Sequence, residues 1–198
     1  MKRIEKSGEK MGERKHIKTT MREIAKYWET RVDECELSVD WREAESHCWR
    51  CGCKRRLQRC HIIPAALGGK DESENMVLLC ERCHAENPNV GDSEIMWDWI
   101  KAYNTSCYGT FWDIQALKEY EFIYKSTVED EIENIFKEAG VESDEEEQQA
   151  VREALLSVRP KVSAHFGQPY YNTATIAGVY RMMLKELAKK YGVTLKRI

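Results

Sequence analysis

The sequence predicts an α+β chain that is mostly helical, in which a small unit of two strands and a helix is flanked by N-terminal helices and a C-terminal helical region. Three observations lead there. Apolar residues recur at helical spacing through most of the chain. Two short apolar or alternating runs, Leu57 to Ile63 and Met76 to Leu79, read as strands. Both runs lie between two cysteine pairs, Cys48-x-x-Cys51 and Cys80-x-x-Cys83, so one compact feature brackets the strand signals.

Taken in order, residues 1–18 are charged and poor in apolar periodicity, and read as a flexible basic arm. Residues 19–46 hold the N-terminal helices. Thr20-x-x-Glu23 has the form of a capping box, and Met21, Ile24, Ala25, Trp28 and Val32 follow at helical spacing. A shorter helix over 39–46 is expected to deliver the chain to Cys48. Leu57 to Ile63 and Met76 to Leu79 then form the strand pair of the 47–90 unit, and a helix starting near Cys80 should stop by Asn87-Pro88, because the residue before proline avoids helix.

Residues 91–198 read as a helical accessory region. Ser93 to Tyr103 carries Ile95, Met96, Trp99, Ile100 and Tyr103 on one amphipathic face, and Thr110 to Tyr124 forms another helix. Thr127 to Ala139 ends at Gly140, Ser143 to Val158 ends at Arg159-Pro160, and Thr173 to Tyr191 stops at Gly192, a good residue just past a helix. Aromatic side chains could stack on bases, but their helical spacing favours a core role.

The two knuckles carry the first chemistry. Each presents two thiolates from one tight turn, and four thiolates at about 2.3 Å make the closed tetrahedral shell of a structural zinc site. Cys48, Cys51, Cys80 and Cys83 are therefore read as zinc ligands. Polar, glycine- and charge-rich sequence separates the pairs, so a metal is needed where a core is not available. His47 could replace a thiolate but is a bystander to a shell already complete, and Cys35, Cys53 and Cys107 are left as thiols outside the site.

Between the knuckles stand Arg59-Cys60-His61-Ile62-Ile63-Pro64, the Gly68-Gly69 turn, and Asn75-Met76-Val77-Leu78-Leu79, and the second knuckle closes on His84. In order, spacing and neighbours, this stretch of roughly residues 46–90 resembles the HNH, or ββα-metal, nucleases, with His61, Asn75 and His84 in the three signature positions. The resemblance implies a metal-dependent endonuclease acting on DNA and leaving 5′-phosphates. An imidazole that titrates near neutral pH suits the removal of a proton from water, which makes His61 the expected general base. Asn75 would accept a hydrogen bond from a ring nitrogen or brace the loop backbone. His84 would ligate a divalent ion, Mg²⁺ or another, that neutralises the scissile phosphate.

Cys60 departs from the family pattern, in which Asp, His or Glu commonly precedes the base and serves as a second metal ligand. It is a possible ligand of a softer ion, or a small buried residue, or the mark of a decayed site. The buried reading is favoured, since unpaired cysteine is usually a buried apolar residue.

Composition agrees with an intracellular enzyme. No apolar run approaches membrane-spanning length, and Met1 to Lys6 lacks the apolar stretch of a signal peptide, so a cytoplasmic location is expected. The net charge of −3 is unevenly spread. From Arg42 to Lys70 seven basic residues face two acidic ones, whereas from Glu119 to Glu147 twelve acidic residues face two basic ones. Phosphate contact depends on where charge sits, so Arg50, Lys54, Arg55, Arg56 and Arg59 are the expected nucleic-acid contacts. One centre has one nucleophile, so a homodimer is a natural route to double-strand cutting. Two alternatives stay open: a zinc-stapled DNA-binding module whose catalytic centre has decayed at Cys60, and a nuclease directed at RNA.

Overall fold

The computed structural model describes residues 18–102, 104–105 and 107–195. All but the last residue of the expected basic arm lies outside the described residues, as do His16 and Tyr103. The chain groups into two compact units, one from Met1–Arg50 with Arg55–Asn104 and one from Cys51–Lys54 with Thr105–Ile198.

The first unit begins with helix α1 (Met21–Trp28), whose capping box is complete: the Thr20 hydroxyl accepts from the Glu23 amide at 3.2 Å, and the Glu23 carboxylate accepts from the Thr20 amide at 2.7 Å. The helix stops at Trp28 rather than running on to Val32, which packs inward from the following turn. The Trp28 indole N–H reaches the carbonyls of Ser73 and Met76 at 3.1 and 2.8 Å, tying α1 to the strand hairpin.

The helix expected over 39–46 is replaced by a single 3₁₀ turn, Trp41–Glu43. Asp40 accepts from the Arg42 amide at 2.8 Å and the Ser46 hydroxyl donates to the Glu43 carbonyl at 3.1 Å. Such local side-chain bonds offer the backbone an alternative to a continuing helix.

Strands β1 (Leu57–His61) and β2 (Met76–Cys80) pair antiparallel, with Leu57 opposite Cys80 and His61 opposite Met76. β2 is buried along its whole length, as its unbroken apolar run requires, while β1 buries Leu57 and Cys60 and leaves Gln58, Arg59 and His61 partly exposed. Helix α2 (Glu81–Glu86) follows β2 directly and ends at Asn87, which is extended ahead of Pro88. Helix α3 (Ser93–Lys101) packs back on the same unit. Its Trp97 lies edge-on to Trp28 at 4.6 Å, and its Trp99 lies 3.9 Å beneath the Arg50 guanidinium, so both rings serve packing, as helical spacing suggested for Trp99.

The second unit is helical: α4 (Phe111–Tyr124), α5 (Val128–Ala139), α6 (Asp144–Val158) and α7 (Thr173–Tyr191). Helices α4, α5 and α6 each pack on α7, around a core that includes Tyr120, Ile135, Phe136, Leu184 and Leu187. The caps explain the boundaries. Thr127, Ser143 and Asn172 accept amides of the first turns of α5, α6 and α7, and Gly140 and Gly192 end α5 and α7 in the left-handed region at φ 69° and 70°. Arg181 of α7 places its guanidinium 2.6 Å from Glu131 and 3.2 Å from the Tyr120 hydroxyl, which satisfies an ion pair set in the helical core. Among the described residues no helix is long and apolar enough to cross a membrane.

Candidate active site

The four knuckle cysteines converge. Cys48 and Cys51 flank Trp49 and Arg50, Cys80 ends β2, and Cys83 lies in the first turn of α2. All four are buried, none forms a disulfide, and their sulfur atoms lie within 4.8 Å of one another. Four bonds of about 2.3 Å to one ion place sulfurs about 3.8 Å apart on a tetrahedron, so this donor set can hold one metal ion with zinc-like geometry. Among the described residues it is the one group of three or more potential ligands that converges in this way. The Trp49 amide donates to the Leu78 carbonyl at 3.1 Å and fastens the first knuckle to β2.

Arg50 completes the surroundings of the cluster. Its guanidinium is 3.8 Å from the Cys83 sulfur and 3.0 Å from the Glu86 carboxylate. A cation beside several thiolates offsets their excess negative charge.

The loop from β1 to β2 is organised by Asn75. Its side-chain oxygen accepts from the Ile63 amide at 2.9 Å, and its side-chain nitrogen donates to the carbonyls of Ile63 and Lys70, each at 3.0 Å. Of its two expected roles, bracing the backbone is therefore the one the geometry presents. Gly69 is required by this clamp: a Cβ there would lie 1.7 Å from the Ile63 carbonyl oxygen and 2.7 Å from the Asn75 side-chain nitrogen. Gly69→Ala is expected to cost roughly 1–3 kcal/mol or more, because backbone rather than a flexible side chain must move. Gly91→Ala, where a Cβ meets only the tip of Leu67 at 4.0 Å, is the matched control. Thermal melts of the two variants check this; equal melting temperatures would mean that the loop is not pinned at Gly69.

His61 stands at the end of β1 with its side chain 20 % exposed, and its Nε2 is 2.7 Å from Asp71 Oδ1. His84 stands on α2 with Nδ1 2.6 Å from Gln58 Oε1. An amide oxygen only accepts, so Nδ1 of His84 carries the hydrogen and Nε2 keeps its lone pair. Burial holds the His84 imidazole below its ordinary pKa, and the nearby His61 pushes it the same way. Both effects keep His84 neutral, the form that binds a metal ion. Cys60 is 1 % exposed, lies opposite Val77, and has its thiol pushed up to about 12 by burial. It is a protonated packing residue in this arrangement.

Residues 48–89 match the family model of the HNH endonucleases. They are an HNH domain. No curated protein and no solved structure matches the chain. The HNH match covers the two knuckles and the loop between them, and it includes His61, Asn75 and His84.

Around the HNH histidines, two partners escaped the sequence reading. Gln58 is three residues before His61 on the same strand, and only the pairing of β1 with β2 and the turn into α2 bring it to His84. Asp71 is one of four polar residues, 71–74, ahead of Asn75, and nothing in their spacing singles it out.

The expected basic face is corrected at Arg50, which is buried at the knuckle with Glu86, Cys83 and Trp99 and so is not presented to phosphate. Arg59 is partly buried and donates to the Thr19 carbonyl at 2.9 Å. Lys54, Arg55 and Arg56 are exposed. His47 is buried beside the Ser46 hydroxyl and stands outside the four-cysteine cluster.

Proposed function

We propose that the HNH domain is a metal-dependent endonuclease that hydrolyses DNA phosphodiester bonds, with His61 as general base and Cys48, Cys51, Cys80 and Cys83 around a structural zinc. One observation carries the reading. Each of the two imidazoles has one ring nitrogen tied to a protein acceptor, Asp71 for His61 and Gln58 for His84, which leaves the other nitrogen for chemistry. On His61 that nitrogen takes a water proton; on His84 it is free to ligate an ion.

His61 withdraws the proton as the water attacks phosphorus in line, and the bond to the 3′-oxygen breaks, leaving a 5′-phosphate and a 3′-oxygen that takes a proton from solvent water to become the 3′-hydroxyl. When bound by His84, a divalent ion such as Mg²⁺ would neutralise charge on the phosphate and on the departing oxygen. With Cys60 turned inward, His84 is the one protein ligand proposed for the ion, and an ion such as Mg²⁺ would take the rest of its shell from waters and substrate phosphates. Asn75 keeps the loop between the strands in place. Lys54, Arg55 and Arg56 are the candidates for phosphate contact, and Arg59 is a weaker one because its guanidinium already serves Thr19.

The reading takes residues 47–90 as the nuclease unit, 19–46 as its N-terminal support and 91–198 as a helical accessory region. Reduced thiols at the knuckles suit the cytoplasm. Two chains, each with one centre, would be needed to cut both strands in one encounter.

The buried Cys60 also favours a second reading, a zinc-stapled DNA-binding module that has lost activity with its second ligand. Side-by-side digestion of DNA and RNA with Mg²⁺, Mn²⁺ or Zn²⁺ separates the alternatives. The nuclease reading expects DNA to be cut in Mg²⁺ or Mn²⁺. Cleavage of RNA alone would move the substrate, and cleavage of neither would leave the binding module.

A further inference from the structure

We propose that Asp71 is a positioning residue for His61: its carboxylate holds the Nε2–H of the imidazole and so presents Nδ1 as the nitrogen that takes the proton from water. The proposal rests on the nuclease reading above and names a residue that neither the three signature positions nor the metal ligands include. A carboxylate only accepts hydrogen bonds, so the 2.7 Å contact between Asp71 Oδ1 and His61 Nε2 requires the hydrogen to be on Nε2. The lone pair of the neutral ring then sits on Nδ1.

The carboxylate is delivered by a loop held on both sides of the residue. The Lys70 carbonyl accepts from the Asn75 side chain at 3.0 Å, and the Asp71 carbonyl accepts from the Thr19 hydroxyl at 2.8 Å. Thr19 is held in turn, its own carbonyl accepting from Arg59 at 2.9 Å on the strand that carries His61, and it directly precedes Thr20, the cap of α1. The signature asparagine and the segment before α1 thus fix the two successive peptide units that flank Asp71, one each.

After proton transfer the imidazole carries a positive charge beside the Asp71 carboxylate. The side chains of His61 and Asp71 are 20 % and 38 % exposed, so solvent screens the charge attraction and orientation is the larger contribution. For the same reason Asp71 contributes little to folding, and its removal tests the site rather than the stability.

The test uses the full chain as wild type, Asp71→Ala and Asp71→Asn. Two readouts are taken: kcat and KM for DNA cleavage in Mg²⁺, and the tautomer of His61 from imidazole ¹⁵N–¹H correlation spectra, assigned with His61→Gln. Asp71→Ala is expected to lower kcat by on the order of 10² while KM stays within about two-fold. Asp71→Asn, whose Oδ1 can still accept from Nε2–H, should recover part of the loss. In wild type His61 should show the Nε2–H tautomer, and in Asp71→Ala a mixture. An alanine variant that cuts at the wild-type rate overturns the proposal. One that cuts faster also overturns it, by showing that the carboxylate obstructs the base. An Nδ1–H tautomer in wild type does so independently of activity. If wild type cuts nothing, the nuclease reading fails, and the tautomer spectra alone decide whether Asp71 orients His61.

Discussion

Replacing His61 with alanine is expected to reduce DNA cleavage by on the order of 10² to 10⁴, the usual contribution of a positioned general base, while DNA affinity changes by no more than a few-fold. His61 ends β1 with one ring nitrogen on Asp71, and in the proposed reaction it acts on water, not on phosphate. In the proposed reading binding rests on the exposed cations Lys54, Arg55 and Arg56, which the substitution leaves alone. Stability should also hold, since the side chain is partly exposed and it pairs with an exposed carboxylate. Single-turnover cleavage and equilibrium binding of the same duplex, measured on the same preparation, check both halves. A mutant that cuts near the wild-type rate removes His61 from the base position.

Cys48→Ser is expected to have the larger effect on the fold. The knuckles join the start of β1, the end of β2 and the first turn of α2, and these elements are slight: five residues in each strand and six in the helix. A two-stranded hairpin has little stability of its own in water. The apolar groups around it, Trp49, Met76, Leu78 and Leu79, are fully buried, but the first knuckle is what brings Trp49 against β2. Structural zinc contributes an apparent ~10–16 kcal/mol to small zinc-dependent folds near neutral pH, more than many domains have in total. Removing one thiolate also leaves a polar hydroxyl in a fully buried position. Loss of the cooperative melt of the first unit, and rapid proteolysis within residues 47–90, are the expected outcomes, and a strong chelator should reproduce them in wild type. Purified, active protein that contains no zinc would refute the assignment, as would a Cys48→Ser variant that melts like wild type.

Much of the fold was legible because helix ends are local chemistry. Thr20, Thr127, Ser143, Gly140 and Gly192 each mark a boundary that the structure places at the expected residue, since a hydroxyl cap or a left-handed glycine depends on neighbours a few residues away. Residues 39–46 were misread for a related reason. In so short a segment two side-chain bonds, from Asp40 and Ser46, outweigh helical periodicity.

At the site, the cysteine spacing was enough to group four thiols, and the order of His61, Asn75 and His84 carries a resemblance that falls within the stretch matched by the HNH family model. What the sequence does not carry is pairing across distance. Gln58 meets His84 only through strand register, Asp71 meets His61 only through closure of the Asn75 clamp, and Arg50 meets Glu86 only once α2 has docked. The positive charge of Arg50 could be counted from the sequence; its burial could not.

The central claim, that the centre built on His61 and His84 is a working nuclease, is tested most directly by incubating supercoiled plasmid with the zinc-loaded wild-type chain in Mg²⁺ and, in parallel, in the same buffer without Mg²⁺. Nicked circles are expected in Mg²⁺, linear DNA later or at higher enzyme, and no conversion without the added ion. Supercoiled DNA that remains intact with Mg²⁺, Mn²⁺ and Zn²⁺, while the protein still binds it, would contradict the account and leave a binding module in its place.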